Sequence, residues 1–99
     1  MVTHLQERLD ESYSEVEAAF LEFATPGIDE ALHDMIHKGV TEIQVYPFFL
    51  NSGKHVHHDI PDKLRKAKEL YSGVNFKLLP HFGSSEHILS VITDDLKEL

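Results

Sequence analysis

Histidine is the residue type that gives this sequence most of its possible chemistry. The chain has eight histidines and no cysteine among 99 residues, so a bound metal ion must be held by imidazole, carboxylate or water. The same count excludes disulfides, thiolate zinc sites and iron–sulfur clusters held by cysteine. His55, His57 and His58 are close neighbours in the chain. Near neutral pH an uncharged imidazole can ligate a divalent ion or accept a proton.

Most of the histidines also have an ordinary structural explanation. His33 and His37 stand four apart on a predicted helix, a spacing that can clamp a metal ion but more often has no function. His81 could line a pocket or simply fill a loop. Four further histidines suit solvent-exposed positions. They are His4, His57, His58 and His87.

Composition narrows the class of protein. The formal net charge of −8 argues against nucleic-acid binding, which needs clustered lysine and arginine. The chain has no apolar run long enough to span a membrane and no basic-then-apolar export signal, so we expect a cytoplasmic protein with no membrane partner. The length predicts a single domain over residues 1–99 with a modest core.

Strands and helices alternate in the predicted structure. Apolar segments rich in aromatic and β-branched residues predict buried strands over residues 16–23, 41–50 and 74–79. Apolar residues at helical spacing predict helices that begin near Val2, Ile28, Asp59 and Ser84 or Ser85. The last three helices have buried stripes made of Ile28, Ala31, Leu32, Met35 and Ile36, then Ile60, Leu64, Ala67 and Tyr71, then Ile88, Leu89, Ile92, Leu96 and Leu99. This order predicts a three-layer α/β/α fold around a parallel sheet.

The loops that leave the carboxyl ends of the strands are where such a sheet places its function. These loops, residues 22–27, 51–58 and 80–84, bring Glu22 and several imidazoles to one edge. Glu22 ends an apolar run, where a carboxylate needs a partner or a functional reason. Gly53 would let backbone approach a flat ligand closely. Phe48, Phe49 and Leu50 could contact its face, although we expect at least two of them to face the core.

The stretch VYPFFLNSGKHVHHDIP, residues 45–61, resembles the second metal-ligand segment of the CbiX-type tetrapyrrole chelatases. That segment has an apolar strand, P-x-F-L, a short loop, G-x-H, three residues and D-I-P. Upstream, VEAAFLEFATPGIDEAL resembles the family's strand and following helix, and downstream LLPHFGSSEHIL resembles its last strand and glycine turn. The resemblance covers nearly the whole chain.

The resemblance implies an enzyme that inserts a divalent metal into sirohydrochlorin for cobalamin or siroheme biosynthesis. The metal would be Co²⁺, or alternatively Fe²⁺ or Ni²⁺, and it is a substrate, so no permanently bound cofactor is expected. His55 would bind the metal, with Glu22 as the second catalytic residue. Thr25 stands where some members carry an acid. The tetrapyrrole would be cradled by Leu50, Asn51, Ser52, Gly53, Lys54 and His55, and Lys54 and helix amino ends would attract its carboxylates.

One family feature has no counterpart in this sequence. Family members begin with a strand ending in a His-Gly-Ser turn, and that histidine is the second metal ligand. The uncapped opening helix gives the same indication, so we expect the first strand and on the order of twenty residues to be missing. The apolar surface exposed by their absence predicts a homodimer.

Two alternatives to an enzyme stay open. One is a non-catalytic metal- or tetrapyrrole-binding module with the same fold and a single ligand. The other is a small flavodoxin-like nucleotide or signalling domain, which is disfavoured because no glycine-rich phosphate loop follows a predicted strand.

Overall fold

The described part of the computed structural model contains four α-helices and two strands. The structure describes residues 2–9, 13–20, 24–51, 53 and 55–98, with the backbone alone for His55 and Val56. The elements are α1 Val2–Arg8, α2 Ile28–His37, β1 Glu42–Val45, α3 Ile60–Leu70, β2 Asn75–Leu78 and α4 His87–Lys97. A π-helical turn, His55–Asp59, precedes α3, and a 3₁₀ turn, Phe82–Ser84, precedes α4. Over these residues, no helix combines the length and the apolar character needed to cross a bilayer.

The two strands pair in parallel, and α3 connects them. Glu42 lies opposite Asn75, and the register continues to Val45 opposite Leu78. Because a parallel pair needs a long crossover, the helical pattern between the two apolar segments already implied this topology. The predicted α/β class with a parallel sheet is confirmed, although both strands are shorter than the apolar segments that predicted them.

The core lies between α2, α3 and the inward side of β1. Its buried side chains belong to Leu32, Ile43, Ile60, Leu64 and Ala67. Around them pack partly buried apolar residues that include Ile28, Met35, Ile36 and Tyr71. The predicted buried stripes of α2 and α3 are therefore confirmed, because 3.6-residue periodicity places each stripe on one helical face.

The helix ends follow from local chemistry with one exception. Gly39 has φ 91°, a left-handed conformation that suits glycine after the end of α2. The N-cap residue of α4 is Glu86, which makes no side-chain cap hydrogen bond, but Ser85 Oγ accepts a hydrogen bond from the backbone N–H of His87 at 3.2 Å, close to the predicted helix start. Asp59 does not cap α3 through its side chain, because the π-helical turn already gives Asp59 a helical backbone.

The strand predicted over residues 16–23 is wrong for its described part. Residues 13–19 have no regular structure, and Phe20 forms only an isolated parallel bridge with Gly27. The side chains of Glu15 and Glu17 turn toward Lys38, whose Nζ lies 3.7 and 3.8 Å from their Oε2 atoms. Exposed Ala18 and Ala19 add little, because alanine has low β-propensity. Residues 21–23 lie outside the described part of the chain.

The apolar stripe predicted for the last helix is present but is not covered by the described residues. Leu89, Ile92 and Leu96 are 69%, 49% and 63% exposed, and only Ile88 is half-buried. Leu99 lies outside the described residues. The pattern that predicted burial therefore identifies an apolar surface that the described residues leave largely exposed.

Candidate functional site

The chain leaves β1 in an extended form and keeps the strand's alternation beyond its last paired residue. Ile43 and Pro47 are buried and Phe49 packs against the core. The residues between and after them, Tyr46, Phe48 and Leu50, are 53%, 58% and 70% exposed. The expectation that at least two of Phe48, Phe49 and Leu50 face the core is therefore wrong, because a period of two sends only Phe49 inward.

The loop after β1 is held against the loop after β2. The backbone N–H of Phe82 donates to the carbonyl of Pro47 at 2.9 Å, and that of Gly83 donates to the carbonyl of Phe49 at 2.8 Å. The rings of Phe48 and Phe82 lie 5.1 Å apart with a 56° angle between their planes, a tilted arrangement favourable for aromatic pairs. The path of the chain after β1 is therefore fixed by its contacts with the loop after β2.

His55 begins the π-helical turn that joins this loop to α3. The backbone N–H of His57 donates to the carbonyl of Gly53 at 3.1 Å, which closes the first turn. His55 therefore belongs to an ordered helical turn at the carboxyl edge of β1, where parallel sheets place ligand-binding residues. The direction of its side chain lies outside the described part of the chain.

The other predicted site residues divide into three groups. Leu50, Asn51 and Gly53 are exposed on the segment that leads to His55. Thr25 is exposed just before α2. Glu22, Ser52 and Lys54 lie outside the described residues, so their predicted roles stay predictions.

Thr25 shares the edge of the sheet that carries His55. Helix α2 ends just before β1 begins, so its amino end lies toward the carboxyl end of the strand. Lys63 Nζ of α3 lies 3.4 Å from Asp29 Oδ2 of α2, which places the first turns of the two helices side by side. The loop before α2 and the turn before α3 are therefore neighbours at this edge.

A cleft of about 460 Å³ opens beside the π-helical turn. It is lined by His57, His58, Asp59, Pro61, Asp62 and Arg65. Arg65 pairs with Asp62, and Lys66 Nζ lies 3.3 Å from the other oxygen of Asp62. Arg65 and Lys66 of α3 thus share the single carboxylate of Asp62 beside the cleft.

Among the described residues, the side chains with shifted pKa values cluster at the carboxyl end of α2. Lys38 Nζ lies 3.2 Å from Asp34 Oδ2, and this hydrogen bond lowers the pKa of Asp34 and raises that of Lys38. Burial, followed by the neighbouring Asp34 carboxylate, raises the pKa of Glu17 above its ordinary value. Lys38 links residues 13–19 to α2 through these carboxylates, and the cluster takes no part in the site at the carboxyl edge.

Comparison with known proteins identifies the family. The model of the CbiX family matches residues 1–99. This chain belongs to the CbiX family.

Relatives of this CbiX chain include chelatases of both iron and cobalt. It is 33% identical over 82 residues to a sirohydrochlorin ferrochelatase of Priestia megaterium, covering 83% of this chain and 31% of the relative. It is 32% identical over 84 residues to a sirohydrochlorin cobaltochelatase of Sulfurisphaera tokodaii, covering 85% and 67% of the two chains. The chain spans 31% and 38% of the first two curated relatives, so it matches about a third of their length.

Solved structures show that the CbiX chain shares the chelatase fold. A CbiX protein from Marinobacter aquaeolei matches with a TM-score of 0.76 and 28% identity, over 97% of this chain and 79% of that one. The sirohydrochlorin chelatase SirB from Bacillus subtilis, solved in complex with cobalt, matches with a TM-score of 0.83 and 22% identity. That match covers 99% of this chain and 41% of SirB. The two structural matches confirm the α/β fold with a parallel sheet that was predicted from the sequence.

Two features of the CbiX site were missed from sequence. The outward direction of Phe48 could have been found by carrying the alternation Ile43, Val45, Pro47 one step further to Phe49, but its pairing with Phe82 had no local signal. The approach of Gly83 to Leu50 had no local signal, because it joins residues from two loops that only the parallel pairing brings together.

Proposed function

We propose that this CbiX chain inserts a divalent metal ion into sirohydrochlorin, with His55 as metal ligand. The observation that carries the proposal is the position of His55: its backbone begins the π-helical turn that follows β1, within a chain that matches the CbiX model throughout. An imidazole can hold a divalent ion reversibly and, once the ion has left, accept a pyrrole proton in the same site.

The neighbouring surface suits a flat macrocycle. Phe48 and Leu50 are more than half exposed and lie on the segment that ends at His55. A flat apolar ring can cover such side chains and gain about 25 cal/mol for each Å² removed from water. Asn51, Ser52, Gly53 and Lys54 complete the proposed cradle, Thr25 borders it, and Glu22 is the proposed second catalytic group.

Co²⁺ is our first choice of metal, and Fe²⁺ and Ni²⁺ are the alternatives. Imidazole ligates all three ions, and the relatives include both a ferrochelatase and cobaltochelatases. The metal enters as a substrate, and no permanently bound cofactor is proposed. The product would serve cobalamin or siroheme biosynthesis in the cytoplasm.

We also propose that two copies of the chain form a homodimer. The exposed apolar face of α4, with Leu89, Ile92 and Leu96, is a large surface of the kind that association covers. This chain covers 41% of SirB, so two copies together would approach the length of that longer relative. A segment of the same polypeptide outside residues 1–99 is the competing occupant of this face.

The insertion assay separates an enzyme from a binding module. Sirohydrochlorin absorbance is followed without oxygen after addition of Co²⁺, Fe²⁺ or Ni²⁺, with and without the protein. An enzyme accelerates at least one metal well above the rate without protein. Macrocycle binding by equilibrium titration, with no acceleration for any metal, would instead establish the non-catalytic module.

A further inference from the structure

A second pair of imidazoles lies on α2, away from the turn that carries His55. The rings of His33 and His37 have centroids 4.1 Å apart, with 43° between their planes. Both side chains are exposed. Histidines four residues apart lie on the same face of a helix. A ring nitrogen of each can therefore reach one ion at the usual metal–nitrogen distance of about 2.0–2.1 Å. The ring separation shows that the two imidazoles already lie on the same side of the helix.

Tyr71 orients one ring of this pair. Its hydroxyl oxygen lies 3.1 Å from Nδ1 of His33, and Tyr71 itself packs against the core. When Nδ1–H donates to the tyrosine oxygen, the lone pair of Nε2 is left for a metal ion. A hydrogen bond of this type fixes the tautomer and direction of ligating histidines.

The surrounding charge favours a cation. His37 is the last residue of α2, where the helix dipole favours positive charge. The nearby Lys38 ammonium is matched by Asp34 at 3.2 Å and lies near two further carboxylates. The chain's net charge of −8 adds a long-range attraction for divalent ions.

Topology separates this pair from the candidate chelatase site. His37 lies just before β1, and Tyr71 just before β2, so both belong to the amino edge of the sheet. His55 follows the carboxyl end of β1. An ion held by the pair is therefore not the ion that would face a macrocycle beside His55.

We propose that His33 and His37, oriented by Tyr71, form a second and exchangeable binding site for a divalent transition-metal ion. Within the described ranges, no group of three or more histidine, aspartate or glutamate side chains is arranged to hold a metal. The pair therefore supplies two ligands and water supplies the rest, which makes binding weak and readily reversible. Imidazole ligands favour Ni²⁺, Co²⁺, Cu²⁺ and Zn²⁺ over Mg²⁺ or Ca²⁺. The site stands whether or not the chain is a chelatase.

The test measures Ni²⁺ binding by isothermal titration calorimetry on a His55→Ala background, which removes the other proposed ligand. The double variant His33→Gln, His37→Gln should lose one bound ion per chain. The matched control His4→Gln, His87→Gln changes two exposed helical histidines and should bind as the parent does. Circular dichroism of all variants verifies that they fold.

The variant Tyr71→Phe removes the hydrogen bond that orients His33 but keeps both proposed metal ligands. It should keep the stoichiometry of one ion and weaken binding about tenfold, the scale seen when a hydrogen bond to a ligating histidine is removed. Unchanged Ni²⁺ binding in the His33, His37 double variant would overturn the proposal. Equal loss in the His4, His87 control would overturn it as well, because binding would then reflect surface histidines in general.

Discussion

Gly83 lies directly against the carbonyl group of Leu50, and its own N–H donates to the carbonyl of Phe49 at 2.8 Å. A Cβ atom at Gly83 would overlap the Leu50 carbonyl and stand 2.9 Å from its Cα atom. The contact joins the loop after β2 to the segment that leads to His55. The two loops are therefore one structural unit, and this unit leads into the turn that begins at His55.

Gly83→Ala is expected to destabilise the protein by about 1–3 kcal/mol, because the new methyl group meets backbone that must move aside. It should also slow metal insertion by displacing the turn that carries His55. Urea unfolding and the sirohydrochlorin assay measure the two effects. Gly73→Ala is the control, since a Cβ atom there meets nothing within 4 Å, and it should change stability by less than about 0.5 kcal/mol. Equal effects of the two variants would refute the coupling of the loops.

Leu50→Asn is expected to weaken sirohydrochlorin binding by about tenfold or more, because covering a leucine side chain contributes about 1.5–3 kcal/mol. Leu70→Asn is a matched control: Leu50 and Leu70 are 70% and 76% exposed, but Leu70 ends α3 at the amino edge. Equilibrium titration of the macrocycle compares the two. If Leu70→Asn weakens binding as much as Leu50→Asn, the segment before His55 is not the macrocycle surface.

Glu17→Gln is expected to raise the melting temperature by a few degrees at neutral pH. Burial raises the pKa of Glu17 in the folded protein, so the folded state disfavours the ionised form and loses stability as pH rises through that raised pKa. The gain from the amide should therefore shrink as pH falls toward the ordinary value of 4.5. The melting temperatures of the wild type and the variant are measured between pH 4 and pH 8, at about one pH value per half unit, to follow this trend.

Glu15→Gln serves as the control for that series. Glu15 also lies near Lys38, at 3.7 Å, so its amide loses an ion-pair partner without relieving the same burial. It should not stabilise the protein. A larger benefit of Glu17→Gln at acidic than at neutral pH would contradict the assignment.

Leu89→Glu is expected to convert the proposed homodimer to a monomer, because it places a charge in the apolar face of α4. Size-exclusion chromatography with light scattering reports the mass. Ser90→Glu adds the same charge on the opposite side of the helix and should leave the dimer intact. A wild-type monomer at all concentrations would reject self-association and favour a segment of the same polypeptide as the cover.

The helices, and the buried stripes of α2 and α3, were predictable from sequence because they depend on local periodicity. Leu32 falls on the apolar face of α2, and Leu64 and Ala67 fall on the apolar face of α3. These positions follow from the 3.6-residue repeat alone and do not depend on which element packs against each helix. The parallel pairing of β1 and β2 followed from the helix between them. The site's edge could be predicted for the same reason, since parallel strands end together.

The failures concern residues whose state depends on distant partners. An apolar run around Phe20 predicts a strand, but a strand needs a neighbour to complete its hydrogen bonds, and within the described residues the run forms only the bridge between Phe20 and Gly27. The stripe of α4 predicted burial, but periodicity does not show what covers a face. The approach of Gly83 to Leu50 depends on the register of two strands and has no signature in either loop.

The rate of metal insertion into sirohydrochlorin by the wild-type protein and His55→Ala, at saturating Co²⁺, tests the central claim most directly. His4→Ala is the control, because its side chain is 82% exposed on α1. We predict a loss of roughly 10²-fold or more in the His55 variant, on the scale of removing a catalytic acid or base, and no loss in the control. Equal rates for wild type and His55→Ala would contradict the proposed role of this histidine.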